Sequence, residues 1–281
     1  MNSAVDSRGP IGLLDSGVGG LTVLKEFVTH LPEEDIIYYG DTLHLPYGPR
    51  QLSEVRIFVK KIIDFLIVKR NIKAIVLACN TATSASLAMI KDNYNIPVLG
   101  TIASATEKAI AITENNRIGV IGTEGTINSQ AYQEALMKSN KNLEVYSVAC
   151  PDFVELVEEG KFQGPEVEKM VYKYLSGLKS VNIDVLILGC THYPYLVKPI
   201  QNFFGEDVIL VSSAVEMARE AKRVLASKNL LRNTKHDSGI RKNEFIVSDK
   251  KKISHTFLKK GRKFLQLPSL SFKEINVFDF C

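Results

Sequence analysis

The sequence predicts an α/β protein made of two pseudo-symmetric α/β domains with mainly parallel sheets, and a site in the cleft between them. Short apolar runs alternate with longer amphipathic stretches along the 281 residues, the pattern of strands joined by helical crossovers. The run Ile11-Gly-Leu-Leu-Asp-Ser-Gly-Val-Gly-Gly is echoed by Ile118-Gly-Val-Ile-Gly-Thr-Glu-Gly-Thr. At similar distances downstream, each half carries an apolar strand ending in cysteine: Ile75-Val-Leu-Ala-Cys79 and Leu186-Ile-Leu-Gly-Cys190. Sites in open α/β sheets form at that edge of the strands.

Taken in order, residues 11–14 are an unbroken apolar run closed by Asp15-Ser16-Gly17-Val18-Gly19-Gly20, and residues 21–28 form the first amphipathic stretch. Residues 36–39 read as a strand ending at Gly40 and the turn-rich Asp41-Thr42-Leu43-His44-Leu45-Pro46-Tyr47-Gly48, with a long helix over 51–69. Strand 74–78 runs into Cys79 and precedes a helix at 83–92; strand 98–99 precedes one at 105–112. The second series pairs strand 118–121 with helix 128–137, strand 145–148 with helix 164–178, strand 185–188 with helix 196–204, and strand 208–211 with helix 214–227.

A hydrophobic share of 45% with 23% charged residues is that of an ordinary chain able to bury a core. The net charge of +4 argues for no nucleic-acid or membrane partner. Residues 1–10 are polar with no signal-like apolar core, and no apolar run is long enough to cross a bilayer. The four cysteines, Cys79, Cys150, Cys190 and Cys281, form no CxxC pair, so no metal site is expected. Together these features point to the cytoplasm, where thiols stay free. Residues 232–263 are strongly basic but interrupted by apolar residues at 245–247, 257–258 and 264–265, and are therefore expected to fold. A solvated face is the simpler reading of that charge, and a nucleic-acid or acidic-partner patch the other.

The chemistry centres on Cys79 and Cys190. Each follows an apolar strand and precedes hydroxyl residues, Asn80-Thr81-Ala82-Thr83-Ser84 and Thr191-His192. A strand-to-helix turn sets the sulfur near helix-terminal N–H groups, which favour thiolate. Cys150 and Cys281 lack such a setting and are read as inert. The glycine turn after residue 14 lacks phosphate-loop spacing, and its carboxylate would repel phosphate. Asp15 is an acid–base partner, a hold on a substrate ammonium group, or a plain turn residue. Asp41 either caps its loop or meets substrate. His192 could tune Cys190 or bind substrate. Glu158 and Glu159 could be acidic helpers or the end of an amphipathic helix stopped by Gly160.

These residues, taken together, resemble the glutamate racemases of the aspartate/glutamate racemase superfamily. The resemblance is carried by Leu14-Asp15-Ser16-Gly17-Val18-Gly19-Gly20-Leu21-Thr22, Tyr39-Gly40-Asp41-Thr42, Pro46-Tyr47-Gly48, Cys79-Asn80-Thr81, Ile121-Gly122-Thr123 with Gly125-Thr126, and Leu188-Gly189-Cys190-Thr191-His192-Tyr193-Pro194. It implies that Cys79 takes the α-proton of D-glutamate and Cys190 that of L-glutamate. Asp15 would assist Cys79, His192 would assist Cys190, and Glu158 or Glu159 would be a further helper. Asp15, Ser16, Tyr47, Gly48, Asn80, Thr81, Thr126, Thr191 and His192 would bind the substrate. The resemblance also implies no cofactor, a homodimer, and a role in supplying D-glutamate for peptidoglycan. It places residues 1–99 and 211–281 in one domain and 100–210 in the other. Leu43-His44-Leu45 departs from the smaller residues usual in that loop. Competing readings are a superfamily member acting on aspartate or another substrate, a decarboxylase or isomerase using the cysteines, and a non-catalytic binding protein.

Overall fold

A computed structural model of the chain describes residues 6–233, 242–266 and 270–279. Along it run β1 Ile11–Asp15, α1 Leu21–His30, β2 Ile36–Gly40, α2 Leu52–Arg70, β3 Ala74–Leu77, α3 Asn80–Asn93, β4 Val98–Gly100 and α4 Thr101–Ile112. Next come β5 Arg117–Gly122, α5 Glu124–Asn128, α6 Ala131–Ser139, β6 Glu144–Ala149, α7 Asp152–Glu158, α8 Pro165–Ser180 and β7 Val185–Gly189. The series closes with α9 Val197–Phe204, β8 Ile209–Ser212, α10 Ser213–Ser227, β9 Asn243–Val247, α11 His255–Leu265 and β10 Lys273–Glu274.

The strands form two sheets, ordered β10-β9-β2-β1-β3-β4 and β6-β5-β7-β8, and every pairing is parallel. Parallel strands covered on both faces must be apolar throughout rather than alternating. That is why β1, β3 and β7 read as unbroken apolar runs: every residue in them is buried. In each sheet the strand order reverses beside a central strand, between β1 and β3 and between β5 and β7. Cys79 follows β3 and Cys190 follows β7, so each thiol sits at a switch point, where the open ends of neighbouring strands leave a crevice.

The sheets share a continuous apolar cluster that runs from Leu21, Val23 and Phe27 to Phe153, Leu156, Tyr193, Tyr195, Met217 and Phe257. The basic C-terminal stretch is folded in its described part: β9 extends the first sheet beside β2, with Tyr38 opposite Phe245, and α11 packs on α1. Lys235 and Arg241 of that stretch lie outside the described residues. A buried Lys73–Glu34 ion pair joins the chain just before β3 to the chain just before β2. Lys73 also donates to the Ser7 carbonyl at 2.7 Å, and Glu34 accepts from the Arg232 backbone at 2.9 Å.

Several elements differ from the sequence expectation. The helix expected over 128–137 is α6, which starts only at Ala131 after Gln130 takes a left-handed φ of 56°, and the short α5 before it was not expected. α3 and α4 start at Asn80 and Thr101, earlier than expected. Their first turns are rich in Thr and Ser, weak helix formers whose propensity is overridden by burial against the sheet.

Candidate active site

The two thiols line one cavity, together with Ser16, Leu45, Pro46, Tyr47, Gly48, Asn80, Thr81, Thr123, Val154, Thr191 and His192. It is nearly closed, about 20 Å³, room for about one water. A larger hollow, about 750 Å³ between α2 and residues 274–279, lies elsewhere and holds neither thiol.

Cys79 is the N-cap of α3, and its sulfur accepts from the Ala82 N–H at 3.5 Å. Its S–H reaches Ser16 Oγ at 3.7 Å. Burial and the neighbouring Asp15 charge push this thiol up to about 12, against the pull of the Ala82 N–H. In the resting cavity Cys79 is therefore protonated at neutral pH, a proton donor rather than a base.

Asp15 is fully buried. Oδ1 accepts from the Gly17 N–H at 3.0 Å and Oδ2 from the Thr191 hydroxyl at 3.1 Å, so this carboxylate ties the β1 turn to the β7 turn. Burial raises its pKa, with the His192 charge and these hydrogen bonds working against the rise.

On the other side, Cys190 Sγ lies 3.7 Å from His192 Nδ1, and His192 Nε2 lies 2.6 Å from Glu158 Oε1. Burial alone would lower the imidazole pKa. Its hydrogen bonds to Cys190 and Glu158 outweigh burial and hold it above the ordinary histidine value. A protonated His192 places a positive charge 3.7 Å from the Cys190 sulfur. The glycine turn makes room for the imidazole: a Cβ at Gly19 would lie 2.5 Å from its ring.

The hydroxyls of Thr81, Thr123 and Thr126 form a triangle of 2.9, 3.3 and 3.1 Å that joins α3 to the β5 turn. The Gly125 N–H donates to the Gly48 carbonyl at 2.8 Å, a second tie across the cleft. Asn80 accepts from the Tyr132 hydroxyl at 2.7 Å through Oδ1, while its buried Nδ2 has no partner among the described residues. Asp41 is a local hub, accepting from Tyr47 at 2.7 Å and Ser248 at 2.8 Å and lying 2.8 Å from His44 Nδ1.

Of the residues expected at the site, Ser16, Tyr47, Gly48, Cys79, Asn80, Thr81, Cys190, Thr191 and His192 line the cavity. Asp15 and Glu158 stand behind it, and Thr126 touches it only through Thr81 and Thr123. Of the two adjacent glutamates, Glu158 reaches His192, whereas Glu159 pairs with Lys161 at the surface. Thr123, Leu45, Pro46 and Val154 were missed. Thr123 was legible, because the internal echo aligns it with Ser16. Cys150 sits apart, its thiol directed at the Val148 carbonyl and pushed up by burial. Cys281 lies outside the described residues. Among the described residues no cluster of His, Cys, Asp or Glu has the arrangement of a metal site, and no helix is long and apolar enough to cross a membrane.

Two parallel sheets that present one thiol each to a shared cavity, one beside a carboxylate and one beside an imidazole, define an enzyme of the amino-acid racemase class. The chain belongs to the Asp/Glu/Hydantoin racemase family, whose profile matches residues 11–221. It is 50% identical over 216 residues to the glutamate racemase of Oceanobacillus iheyensis, covering 76% of this chain and 78% of that one. The glutamate racemase of Listeria monocytogenes is 42% identical over 267 residues, 95% and 98% of the two chains. A solved glutamate racemase from Bacillus anthracis superposes with a TM-score of 0.88 at 40% identity, covering 96% and 98%. One from Francisella tularensis, solved with D-glutamate, gives 0.87 at 35%, covering 98% and 100%.

Proposed function

We propose that this protein interconverts L- and D-glutamate by proton transfer between two thiols. The observation that carries the reading is the pair of buried cysteines lining one cavity, one from each sheet, with unlike partners. An α-hydrogen is a very weak acid, so abstraction on one face must be matched by prompt reprotonation on the other. From L-glutamate, Cys190 thiolate accepts the proton with His192 and Glu158 behind it, and the Cys79 thiol gives its proton to the opposite face. From D-glutamate the roles exchange. Asp15 and Ser16 support Cys79.

The cavity lining has no Lys or Arg among the described residues. The substrate carboxylates would be held by the unpartnered Asn80 amide, by the Thr81, Thr123 and Thr191 hydroxyls, and by N–H groups at helix starts. Tyr47 gives its hydroxyl proton to Asp41 and offers lone pairs to the ammonium group. Thr126 holds the other two threonines in place. Because the cavity has room for little more than water, the domains formed by residues 1–99 with 211–281 and by 100–210 would part to admit glutamate. Closure then excludes water and strengthens the electrostatics. The same reading makes the protein a cytoplasmic homodimer that needs no cofactor and supplies D-glutamate to peptidoglycan synthesis. That part rests on the family resemblance alone.

The test is circular dichroism of L-glutamate, and separately of L-aspartate, incubated with purified protein and no added cofactor. Glutamate should lose its signal and aspartate should not. The Cys79→Ser variant should fall by about a thousandfold or more, the upper range for a general acid–base group. Near-normal turnover by that variant would end the two-thiol reading.

A further inference from the structure

α11 packs on the chain just beyond Glu158, at Gly160, and just beyond His192, at Tyr195. α7 ends immediately after Glu158 in a tight C-terminal turn: the Gly160 N–H bonds the Val157 carbonyl and the Lys161 N–H bonds the Leu156 carbonyl, both at 2.8 Å. Gly160 takes φ +73°, and a Cβ there would come within 2.9 Å of Thr256 Cγ2 and 3.4 Å of the Phe257 nitrogen. The first turn of α11 therefore rests directly on this turn. Four residues on, on the same face of α11, Lys260 Nζ donates to the Gly160 carbonyl at 2.8 Å. Beyond His192, the ring of Tyr195 packs on Phe257 and Phe264 at centroid distances of 5.6 and 4.7 Å.

The segment that carries α11 reaches it through β9, which pairs with β2 in the first sheet, whereas Glu158 and His192 flank strands of the second. A helix anchored to one sheet thus holds the acidic partner of a histidine in the other. We propose that Lys260 is a positioning residue: by clasping the Gly160 carbonyl it fixes the end of α7, and with it the distance from Glu158 to His192. This rests on the reading above that Glu158 and His192 support Cys190. It gives one lysine of the basic C-terminal segment a task other than solvation.

The experiment is a double-mutant cycle on glutamate racemisation with Lys260→Met, Lys260→Arg, Glu158→Gln and the Glu158→Gln/Lys260→Met pair, each checked for folding by thermal melt. Lys260→Met should lower kcat by about fivefold to tenfold, the worth of one hydrogen bond, leave KM within about twofold and shift the basic limb of the pH profile. Lys260→Arg should restore most of the rate. In the Glu158→Gln background Lys260→Met should cost nothing further, because a residue acting through Glu158 has nothing left to position. Multiplying losses, or an unmoved pH profile in Lys260→Met, would overturn the proposal while leaving the Glu158 role intact. An unmoved profile in Glu158→Gln would overturn both.

Discussion

Replacing His192 with Asn should separate the two directions of the reaction in a specific way. The change removes the imidazolium that lies 3.7 Å from Cys190 Sγ and leaves Glu158 without its partner at 2.6 Å. Two unit charges at that separation interact by about 4 kcal/mol at an effective dielectric of about 20. Losing the cation withdraws that attraction from the charged form of Cys190, a factor of up to about a thousand in rate. The enantiomers have equal free energy, so kcat/KM must fall by the same factor in both directions, up to about a thousandfold. The asymmetry appears instead in isotope effects. With α-deuterated L-glutamate, abstraction by Cys190, now without its imidazolium, becomes fully limiting, and the isotope effect on kcat/KM should rise. With α-deuterated D-glutamate, abstraction by Cys79 becomes reversible before a slow reprotonation from Cys190, and the effect should shrink. Measuring both with the variant checks this. Equal isotope effects in the two directions would refute the assignment of His192 to Cys190.

Other consequences concern stability. Cys79 is raised from 9.0 to about 12, so between these values the folded chain keeps a proton that the unfolded chain releases. Stability is unaffected below pH 9 and falls as pH rises towards 12, by about 4 kcal/mol at most; urea titrations should show this part of the fall missing in Cys79→Ala. Lys73→Met would leave the Glu34 carboxylate buried and unpaired, since both side chains of that pair are almost inaccessible. Chemical denaturation should show a loss of about 3–5 kcal/mol, with much of it recovered in Lys73→Met/Glu34→Gln. A loss under about 1 kcal/mol in the single variant would mean that water reaches the pair.

The sequence revealed most where one physical cause dominates. Strands buried on both faces announce themselves as apolar runs, and the two cysteines and Asp15 stand at the ends of such runs, where the fold places its crevice. β9 was invisible because only Ile246 and Val247 of its five residues are buried, and α11 because its buried Phe257, Gly261 and Leu265 are interspersed with lysines and Arg262. The choice between Glu158 and Glu159 needed the helix phase. Glu158 lies one turn beyond Val154, on the face of α7 that meets the cavity, while Glu159 turns to Lys161. Leu45 and Pro46 arrive there through tertiary packing of a long loop, which no local pattern encodes. Asp41 shows the opposite case: it resembled a site residue, yet its three neighbours make it the hub that shapes the Tyr47 loop.

The central claim is that two different groups handle the α-proton, one on each face. The direct measurement is an early time course of unlabelled L-glutamate in D₂O, with the enantiomers separated and their α-positions read by NMR or mass spectrometry. D-glutamate formed at low conversion should carry deuterium, delivered by a solvent-equilibrated Cys79 thiol, while the recovered L-glutamate stays protiated. Deuterium entering both enantiomers equally from the first turnovers would mean that a single group abstracts and returns the proton, and the account of two opposed thiols would be wrong.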